Sequence, residues 1–547
     1  MRVRWLGRLS YGEAWDLQRA FHEGRATGRS DDDYLLLLEH PPTYTIGRNG
    51  DETHLLVDRV ALRELGAELF HVDRGGDITF HGPGQVVGYP IMSLPNSRQI
   101  VPYVRKLEQT IIASLADLGI EAWPEEGLTG VWTAQGKVAA IGVRVSHGVT
   151  MHGFAVNLDP DLSYFGHINP CGLVRPVTSV SALAGRRVSH EEFIDLLVPR
   201  FSEVFDLPFV EEQRAAFVRG TAREFDVDRR VAAGTFSEHK GEAPVLVRGR
   251  LPGEPERPEW MRVKAVMNEG YRDVRNLMRT QGLNTVCEEA GCPNIFECWE
   301  SGTATLMLLG ETCTRACSFC DVKTGKPGEV DIFEPLRAAD AVAAMNLQHA
   351  VLTSVNRDDL SDGGSGIFAQ TVEEIRRRLP DCDVEVLIPD FKGDRDALET
   401  VMEAGPAVLN HNTETVLRLQ RDIRTAANYG RSLALLARAK WINPDGYVKS
   451  GLIVGMGETE EEVVSTLADL RAVGADIITI GQYLRPSARH RPIDRYVHPD
   501  EFDRYAKEGE RLGFAHVESG PLVRSSYHAK EAVGAAGRTP SGLGVTP

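Results

Sequence analysis

The residues best placed to do chemistry are cysteines. Six of the chain's eight lie between Cys287 and Cys320. In Cys313-Thr-Arg-Ala-Cys317-Ser-Phe-Cys320 the spacing puts three thiolates on one short loop. Three thiolates leave one metal position open, and soft thiolates suit an iron–sulfur cluster. A zinc loop would want a fourth ligand close by. A second triplet, Cys287, Cys292 and Cys298, lies just upstream. It points to a second cluster, with buried free cysteines as the alternative. Cys382 belongs to no such spacing and reads as structural. Cys171 stands alone between Pro170 and Gly172, on an irregular, accessible loop. A lone thiol is either an inert core group or a nucleophile. Two neighbours in sequence favour the nucleophile. Arg74 to Gln85 is a Gly-rich run whose backbone can approach a ligand closely, and Lys137 stands at a strand start. A thiolate beside an ammonium group has a lowered pKa.

Composition narrows the class. The chain has 547 residues, 42% apolar and 25% charged, which is ordinary globular usage. Global disorder and collagen-like structure are excluded. No apolar run approaches the roughly 20 residues of a membrane span, and no signal-peptide core follows Arg2 and Arg4. A cytoplasmic protein with no membrane partner is expected. The net charge is −17, and about half of the excess falls in the first 218 residues. Nucleic-acid binding is disfavoured as the main task.

The elements that must position these groups fall into two sets. Residues 1–215 mix strand-like runs, Tyr34–Leu38 and Val138–Val145, with a helix-like run over Ile100–Leu118 whose apolar residues recur at three and four. An α+β domain is expected. Residues 216–257 are polar and rich in Pro and Gly, and read as a linker in which Val245–Val247 could dock as a short strand. From 258 to 532 short apolar runs recur at Thr305–Leu309, Ala350–Thr353, Val384–Ile388, Ala407–Asn410, Ser450–Val454 and Ile477–Ile480. Helical runs such as Glu461–Val473 separate them. That rhythm predicts a parallel, partial (β/α) TIM-like barrel, and the Cys313 loop then follows a strand's C-terminal end. Residues 533–547 read as a flexible tail.

The Cys313/Cys317/Cys320 loop resembles the signature loop of radical S-adenosylmethionine enzymes. Gly451-Leu-Ile-Val-Gly-Met-Gly-Glu458 resembles their cofactor-contacting strand end, with Gly451, Gly455 and Glu458 as the implied contacts. The Cys287/Cys292/Cys298 triplet, Pro258–Lys264 and Gly520–His528 resemble the lipoyl synthase family over about residues 255–532. The resemblance implies two 4Fe–4S clusters. Cys313, Cys317 and Cys320 hold the one that binds S-adenosylmethionine; Cys287, Cys292, Cys298 and Ser526 hold an auxiliary one. From spacing alone, Ser525 and Ser526 would be a turn. It further implies a radical that abstracts hydrogen from unactivated C–H bonds and an auxiliary cluster that donates sulfur, with an electron donor of ferredoxin or flavodoxin type.

Residues 1–215 resemble lipoyl(octanoyl) transferases. The resemblance rests on Glu39–Arg48, Arg74–Gln85, Gly136–Gly142, His152–Asn157 and Cys171. It implies the fold of biotin and lipoate ligases, Cys171 as the acyl-thioester nucleophile and Lys137 as the residue lowering its pKa. Arg74, Gly75, Gly76, Asp77, Ile78, Thr79, Phe80 and His81 would bind the acyl substrate. So would Ala140, Ile141, Gly142, Gly153, Phe154 and Ala155. His81 and His152 could instead hold loops. The implied partners are octanoyl-acyl carrier protein and the lipoyl domains of 2-oxoacid dehydrogenase complexes and glycine cleavage H protein. The expectation is therefore an α/β multidomain, bifunctional enzyme of lipoic acid biosynthesis: octanoyl transfer, then sulfur insertion at C6 and C8. The linker would raise the local concentration of the second site. Another radical sulfur inserter or methylthiotransferase, or a non-enzymatic iron sensor or scaffold, are the alternatives.

Overall fold

A computed structural model describes residues 1–94, 99–169, 176–208, 251, 253–262, 269–289, 292, 294–300, 305–527, 529, 534 and 537. The chain divides into two compact units, Met1–Arg219 and Gly220–Pro547. Val245–Val247, Cys171 and nearly all of the expected tail lie outside the described residues.

The first unit is built on strands β1 (Arg2–Arg8), β2 (Tyr34–Glu39), β3 (Thr43–Ile46), β4 (Glu68–His71), β5 (Ile78–His81) and β6 (Gln85–Ile91). It continues with β7 (Trp123–Glu125), β8 (Leu128–Thr133), β9 (Gly136–Ser146) and β10 (Val149–Asn157). Seven form one sheet in the order β1-β2-β6-β10-β9-β8-β7; β4-β3-β5 form a second. In the large sheet β1 and β2 run parallel and every other pair is antiparallel.

Five α-helices occur among the described residues of this unit, three of them of 16 or 17 residues. Tyr11–Ala26 opens with a capping box, in which Ser10 and Glu13 satisfy each other's backbone amides. Ile100–Ala116 buries Tyr103, Leu107, Ile111 and Leu115, one stripe at helical spacing. His190–Phe205 buries Phe193, Ile194, Leu197, Phe201 and Phe205. These apolar side chains join Val3, Leu35, Leu37, Val86, Val138, Phe154 and Val156 in the main core. Each such burial is worth about 1.5–3 kcal/mol. A smaller core under the three-stranded sheet holds Tyr44, Ile46, Ile78 and Phe80, with the Phe80 ring stacked on Tyr164 at 4.7 Å.

The second unit holds β11 (Asn284–Thr285), β12 (Thr305–Leu308), β13 (Thr312–Cys313), β14 (Lys323–Thr324), β15 (His349–Ser354) and β16 (Asp383–Leu387). Then come β17 (Val408–Asn410), β18 (Tyr447–Val454), β19 (Ile477–Gln482) and β20 (His516–Gly520). The main sheet runs β11-β12-β15-β16-β17-β18-β19-β20, and from β12 onward every pairing is parallel. All six apolar runs noted above are strands of this sheet. Helices lie between successive strands, among them Glu334–Ala344, Ser365–Arg378 and Glu460–Ala472, the last opened by a Thr459/Glu462 capping box.

A buried polar cluster ties neighbouring strands together. Lys449 Nζ sits 3.0 and 3.1 Å from the Glu385 carboxylate oxygens, and Asn410 Nδ2 donates to Glu385 Oε1 at 2.9 Å. Burial alone would raise the Glu385 pKa, but Lys449, His349 and Asn410 hold it at about 2. β12 and β20 stand near opposite ends of the sheet. The segment after β20 returns to β12, where Thr305 Oγ1 donates to Ser526 Oγ at 2.9 Å. Asn294 Nδ2 donates to the Leu522 carbonyl at 2.8 Å, and Asn412 Nδ2 to Ser525 Oγ at 2.6 Å. Residues 521–527 thus connect the end of β20 with Thr305 of β12, with Asn294 and with Asn412 beyond β17.

Candidate functional sites

The Cys313 loop follows the C-terminal end of β12, as the strand rhythm predicts. Leu309 and Gly310, both at positive φ, turn the chain out of the strand. β13 and β14 then pair in parallel and fix the loop's two ends, with Gly325 N donating to the Cys313 carbonyl at 3.0 Å. Cys313 Sγ accepts two amide bonds at 3.4 Å, from Arg315 N and Asn356 N. Cys320 N donates to the Cys317 carbonyl at 3.3 Å, and His490 Nε2 lies 3.0 Å from the Cys320 carbonyl oxygen. Burial pushes the Cys317 thiol up to about 12 and raises Cys313 and Cys320 as well. A bound metal would favour the thiolate form against that shift.

The upstream triplet also comes together. Cys287, Cys292 and Cys298 line one small cavity together with Asn294, Thr305, Arg524, Ser526 and Tyr527. The cysteines come from the segment around β11 and the helices Val286–Glu289 and Ile295–Glu300. Ser526 arrives on the segment after β20. It lies in a turn, as its local sequence suggests, and Thr305 fixes it at the cavity wall. Burial raises Cys287 to about 12 and also raises Cys292; Arg524 acts the opposite way on Cys292. Arg524 is itself half-buried; desolvation lowers its pKa, and Cys292 opposes that shift. Among the described residues no three His, Cys, Asp or Glu side chains are arranged to hold a single metal ion. Three thiols and a hydroxyl around a shared cavity have the donor set of a multinuclear cluster. Cys382 is buried and takes no part in either centre; its thiol lies 3.6 Å from the Asp383 carbonyl.

The strand end expected to contact S-adenosylmethionine is the tip of β18. A Cβ at Gly451 would lie 2.7 Å from Asn412 Oδ1 and 2.8 Å from Thr479 Oγ1. Gly455 has φ +98°, and a Cβ there would collide with Gln482 Nε2. The Glu458 carboxylate accepts the amides of Gly455 and Met456. It therefore shapes its own loop, and burial raises its pKa.

In the first unit, register assembles the expected acyl-binding segments. Ala140, Ile141 and Gly142 on β9 face Ala155, Phe154 and Gly153 on β10 as direct partners. The Arg74 loop lies over this ladder: Gly75 N donates to the Val143 carbonyl at 2.9 Å. A Cβ at Gly142 would stand 2.8 Å from the Gly75 oxygen. Ile78, Thr79, Phe80 and His81 pair with Ile46, Thr45, Tyr44 and Thr43. The side chains of Ile78, Phe80 and Phe154 belong to the two cores.

Thr45 is a hub that spacing did not reveal. Its carbonyl and hydroxyl accept Arg74 Nη2 at 2.7 and 2.8 Å, and its hydroxyl lies 3.5 Å from His81 Nε2. The one available signal was its place in the Glu39–Arg48 run. Burial lowers the Arg74 pKa. Burial, with His40 and Arg74 nearby, drives His81 well below its usual value, so the ring is neutral. Among the described residues His81 Nδ1 is buried with no hydrogen-bond partner. Asp77 contacts His54 Nδ1 at 2.6 Å. His152 has φ +57° and lies 2.7 Å from Asp73, and burial lowers its pKa to about 3.

Lys137 begins β9, with Nζ 5.4 Å from the centre of the Trp132 ring. Gly130, at φ +127°, makes room for it: a Cβ there would lie 2.5 Å from Lys137 Cε. The backbone of Lys137 pairs with the chain just beyond the Cys171 loop. Lys137 N donates to the Pro176 carbonyl at 3.0 Å, and Thr178 N to the Lys137 carbonyl at 3.0 Å. On the other side Ile168 bridges Leu55, and Asn169 N donates to the His54 carbonyl at 2.9 Å. Both flanks of residues 170–175 are therefore anchored.

Among the described residues no helix is long and apolar enough to cross a membrane. Residues 10–202 match the lipoyl protein ligase A/B catalytic domain, and residues 307–470 match the radical SAM superfamily. A lipoyl synthase of Rubrobacter xylanophilus is 58% identical over 279 residues, covering 51% of this chain and 87% of that protein. One of Symbiobacterium thermophilum is 53% identical over 290 residues, covering 53% and 91%. A crystal structure of lipoate-protein ligase A bound with ATP aligns over 39% of this chain and 89% of its own, at 19% identity and a TM-score of 0.33.

Proposed function

The chain belongs to the lipoyl synthase family through its second unit, and on that premise we propose that its two units act in sequence on one protein-borne acyl chain. It is an enzyme of lipoate biosynthesis with a transferase activity and a radical S-adenosylmethionine sulfur-insertion activity. In the first unit the Cys171 thiolate attacks the thioester of octanoyl-acyl carrier protein and releases the carrier thiol. The ε-amine of a lipoyl-domain lysine then attacks the enzyme thioester; the amide forms and the thiolate leaves. Lys137 stabilises that thiolate. Arg74 and the β9–β10 ladder hold the acyl group, with backbone amides near the developing oxyanion.

In the second unit Cys313, Cys317 and Cys320 hold one 4Fe–4S cluster, and Cys287, Cys292, Cys298 and Ser526 hold the other. When bound, the clusters and S-adenosylmethionine supply the electron, the hydrogen-abstracting radical and the sulfur that unactivated C6 and C8 require. The chain's own residues hold and orient these groups. Thr305 fixes the Ser526 hydroxyl, Glu458 shapes the β18 tip, and residues 521–527 connect the end of β20 with β12. The carriers are lipoyl domains, such as those of 2-oxoacid dehydrogenases or the glycine cleavage H protein. A ferredoxin or flavodoxin supplies electrons.

The observation that carries this reading is the cavity lined jointly by Cys287, Cys292, Cys298 and Ser526. The test is anaerobic. The chain, reconstituted with iron and sulfide, receives octanoyl-acyl carrier protein, an apo lipoyl domain, S-adenosylmethionine and a strong reductant, and the lipoyl domain is weighed by mass spectrometry. Octanoyl and then lipoyl mass is expected. Acyl transfer that needs ATP and free acid would make the first unit a ligase. A pre-octanoylated domain left unchanged would overturn the second step.

A further inference from the structure

Between Cys313 and Cys317 lies Arg315, a buried cation. Its Nε and Nη2 donate to the two Asp358 carboxylate oxygens at 2.7 and 2.8 Å, and Nη2 also reaches Asp390 Oδ1 at 2.7 Å. Burial would lower its pKa, but the two carboxylates raise it above the usual value, so it stays charged. Asp390 in turn accepts Lys392 N at 3.1 Å and has Arg431 3.6 Å from Oδ2. The fork thus joins the cysteine loop to the segments that follow β15 and β16.

A second set of bonds joins the same loop to the same segment. Thr314 N and Oγ1 both donate to the Asn356 carbonyl at 3.0 Å, and Asp358 N donates to Thr314 Oγ1 at 3.1 Å. The two amides aimed at Cys313 Sγ belong to Arg315 and Asn356, one from each side of this seam. Neither amide can move off the sulfur while the fork and the Thr314 bonds hold. Amide donors to a thiolate stabilise the more negative, reduced state of a cluster and so raise its reduction potential.

We propose that Arg315, with Thr314, is a positioning residue whose clamp on Asp358 and Asp390 holds two backbone amides on Cys313 Sγ and thereby sets how readily the centre accepts an electron. The inference rests on the reading of Cys313, Cys317 and Cys320 as cluster ligands. Charge alone is a competing account, since any buried cation near a cluster favours reduction. Arg315→Lys separates the two: it keeps the charge and loses the fork. Thr314→Val alters no charge and cuts only the seam.

The experiment is an EPR-monitored redox titration of the full chain, anaerobically reconstituted, following the signal that changes when S-adenosylmethionine is added. Both variants are expected to retain wild-type iron content and to lose about tenfold or more in the equilibrium constant for reduction, a fall of about 59 mV for one electron. Arg315→Gln loses charge as well and should fall further. Potentials in Arg315→Lys and Thr314→Val within twofold of wild type in that constant, at equal iron content, would overturn the clamp. A drop in Arg315→Gln alone would assign the effect to charge. A wild-type chain with no signal responsive to S-adenosylmethionine would overturn the ligand reading itself, and the clamp with it.

Discussion

The two units assemble their working groups by different geometric means. In the first, residues meet because they are register partners: Gly142 faces Gly153 across β9 and β10, and Thr79 faces Thr45 across β5 and β3. In the second, the auxiliary centre draws on two segments that no strand pairing joins. The cysteines precede β12, Ser526 follows β20, and single side-chain bonds to Thr305, Asn294 and Asn412 bring the second segment home. A ladder fixes many positions at once, because slipping it by one residue would turn every side chain to the other face. The second segment is held by these side-chain bonds together with a backbone bond, Gln482 N donating to the Pro521 carbonyl at 3.4 Å.

The sharpest break of that comparison is Cys171→Ser. Octanoyl transfer should fall by about 10³-fold or more, the scale of losing a nucleophile. Sulfur insertion into a pre-octanoylated domain should stay within twofold; a large loss there would mean that the units are not independent. Next, Ser526→Ala should lower sulfur insertion by about 10- to 100-fold, the range seen when support around a metal site is removed. Iron content should drop while the far-UV circular dichroism stays unchanged. A collapsed spectrum would show that the contact is part of the fold's foundation.

Lys137→Met should slow acyl transfer at pH 7 by about tenfold or more. Without the ammonium the Cys171 thiol returns toward about 8.5, so the thiolate is scarce at neutral pH and the rate recovers as pH rises past that value. An unshifted pH–rate profile would deny Lys137 its role. Smallest in effect, Gly130→Ala should cost about 1–3 kcal/mol, because a methyl group meets Lys137 Cε at a φ that disfavours it. Chemical denaturation, followed by a probe in the first unit, would measure it.

The same contrast explains what the sequence made legible. Six parallel strands could be read because strands buried on both faces are continuous apolar runs. β20 could not: His-Val-Glu-Ser-Gly is half-buried and carries two polar groups near its start. The cysteine triplets announced themselves by spacing, whereas Ser526 had only the resemblance to mark it, since a serine in a turn is commonplace. Thr45, Thr305, Asn412 and Arg315 were missed for one reason. Each works through a hydrogen bond to a residue distant in sequence, and no local pattern records such a bond. His81 and His152 look alike in sequence, and among the described residues both leave Nδ1 unpartnered, yet Nε2 of one faces the Thr45 hydroxyl and Nε2 of the other the Asp73 carboxylate.

The segment after β20 has a consequence in time. Thr305 and Ser526 are 221 residues apart. At roughly 5–20 residues per second, a ribosome needs on the order of 10–40 s to make the chain between them. Throughout that interval Cys287, Cys292 and Cys298 have already been synthesised, while the serine proposed to complete their set does not yet exist. The nascent protein therefore passes through a stage in which its sulfur-rich pocket lacks a wall, and loading that centre in finished form belongs to the completed polypeptide.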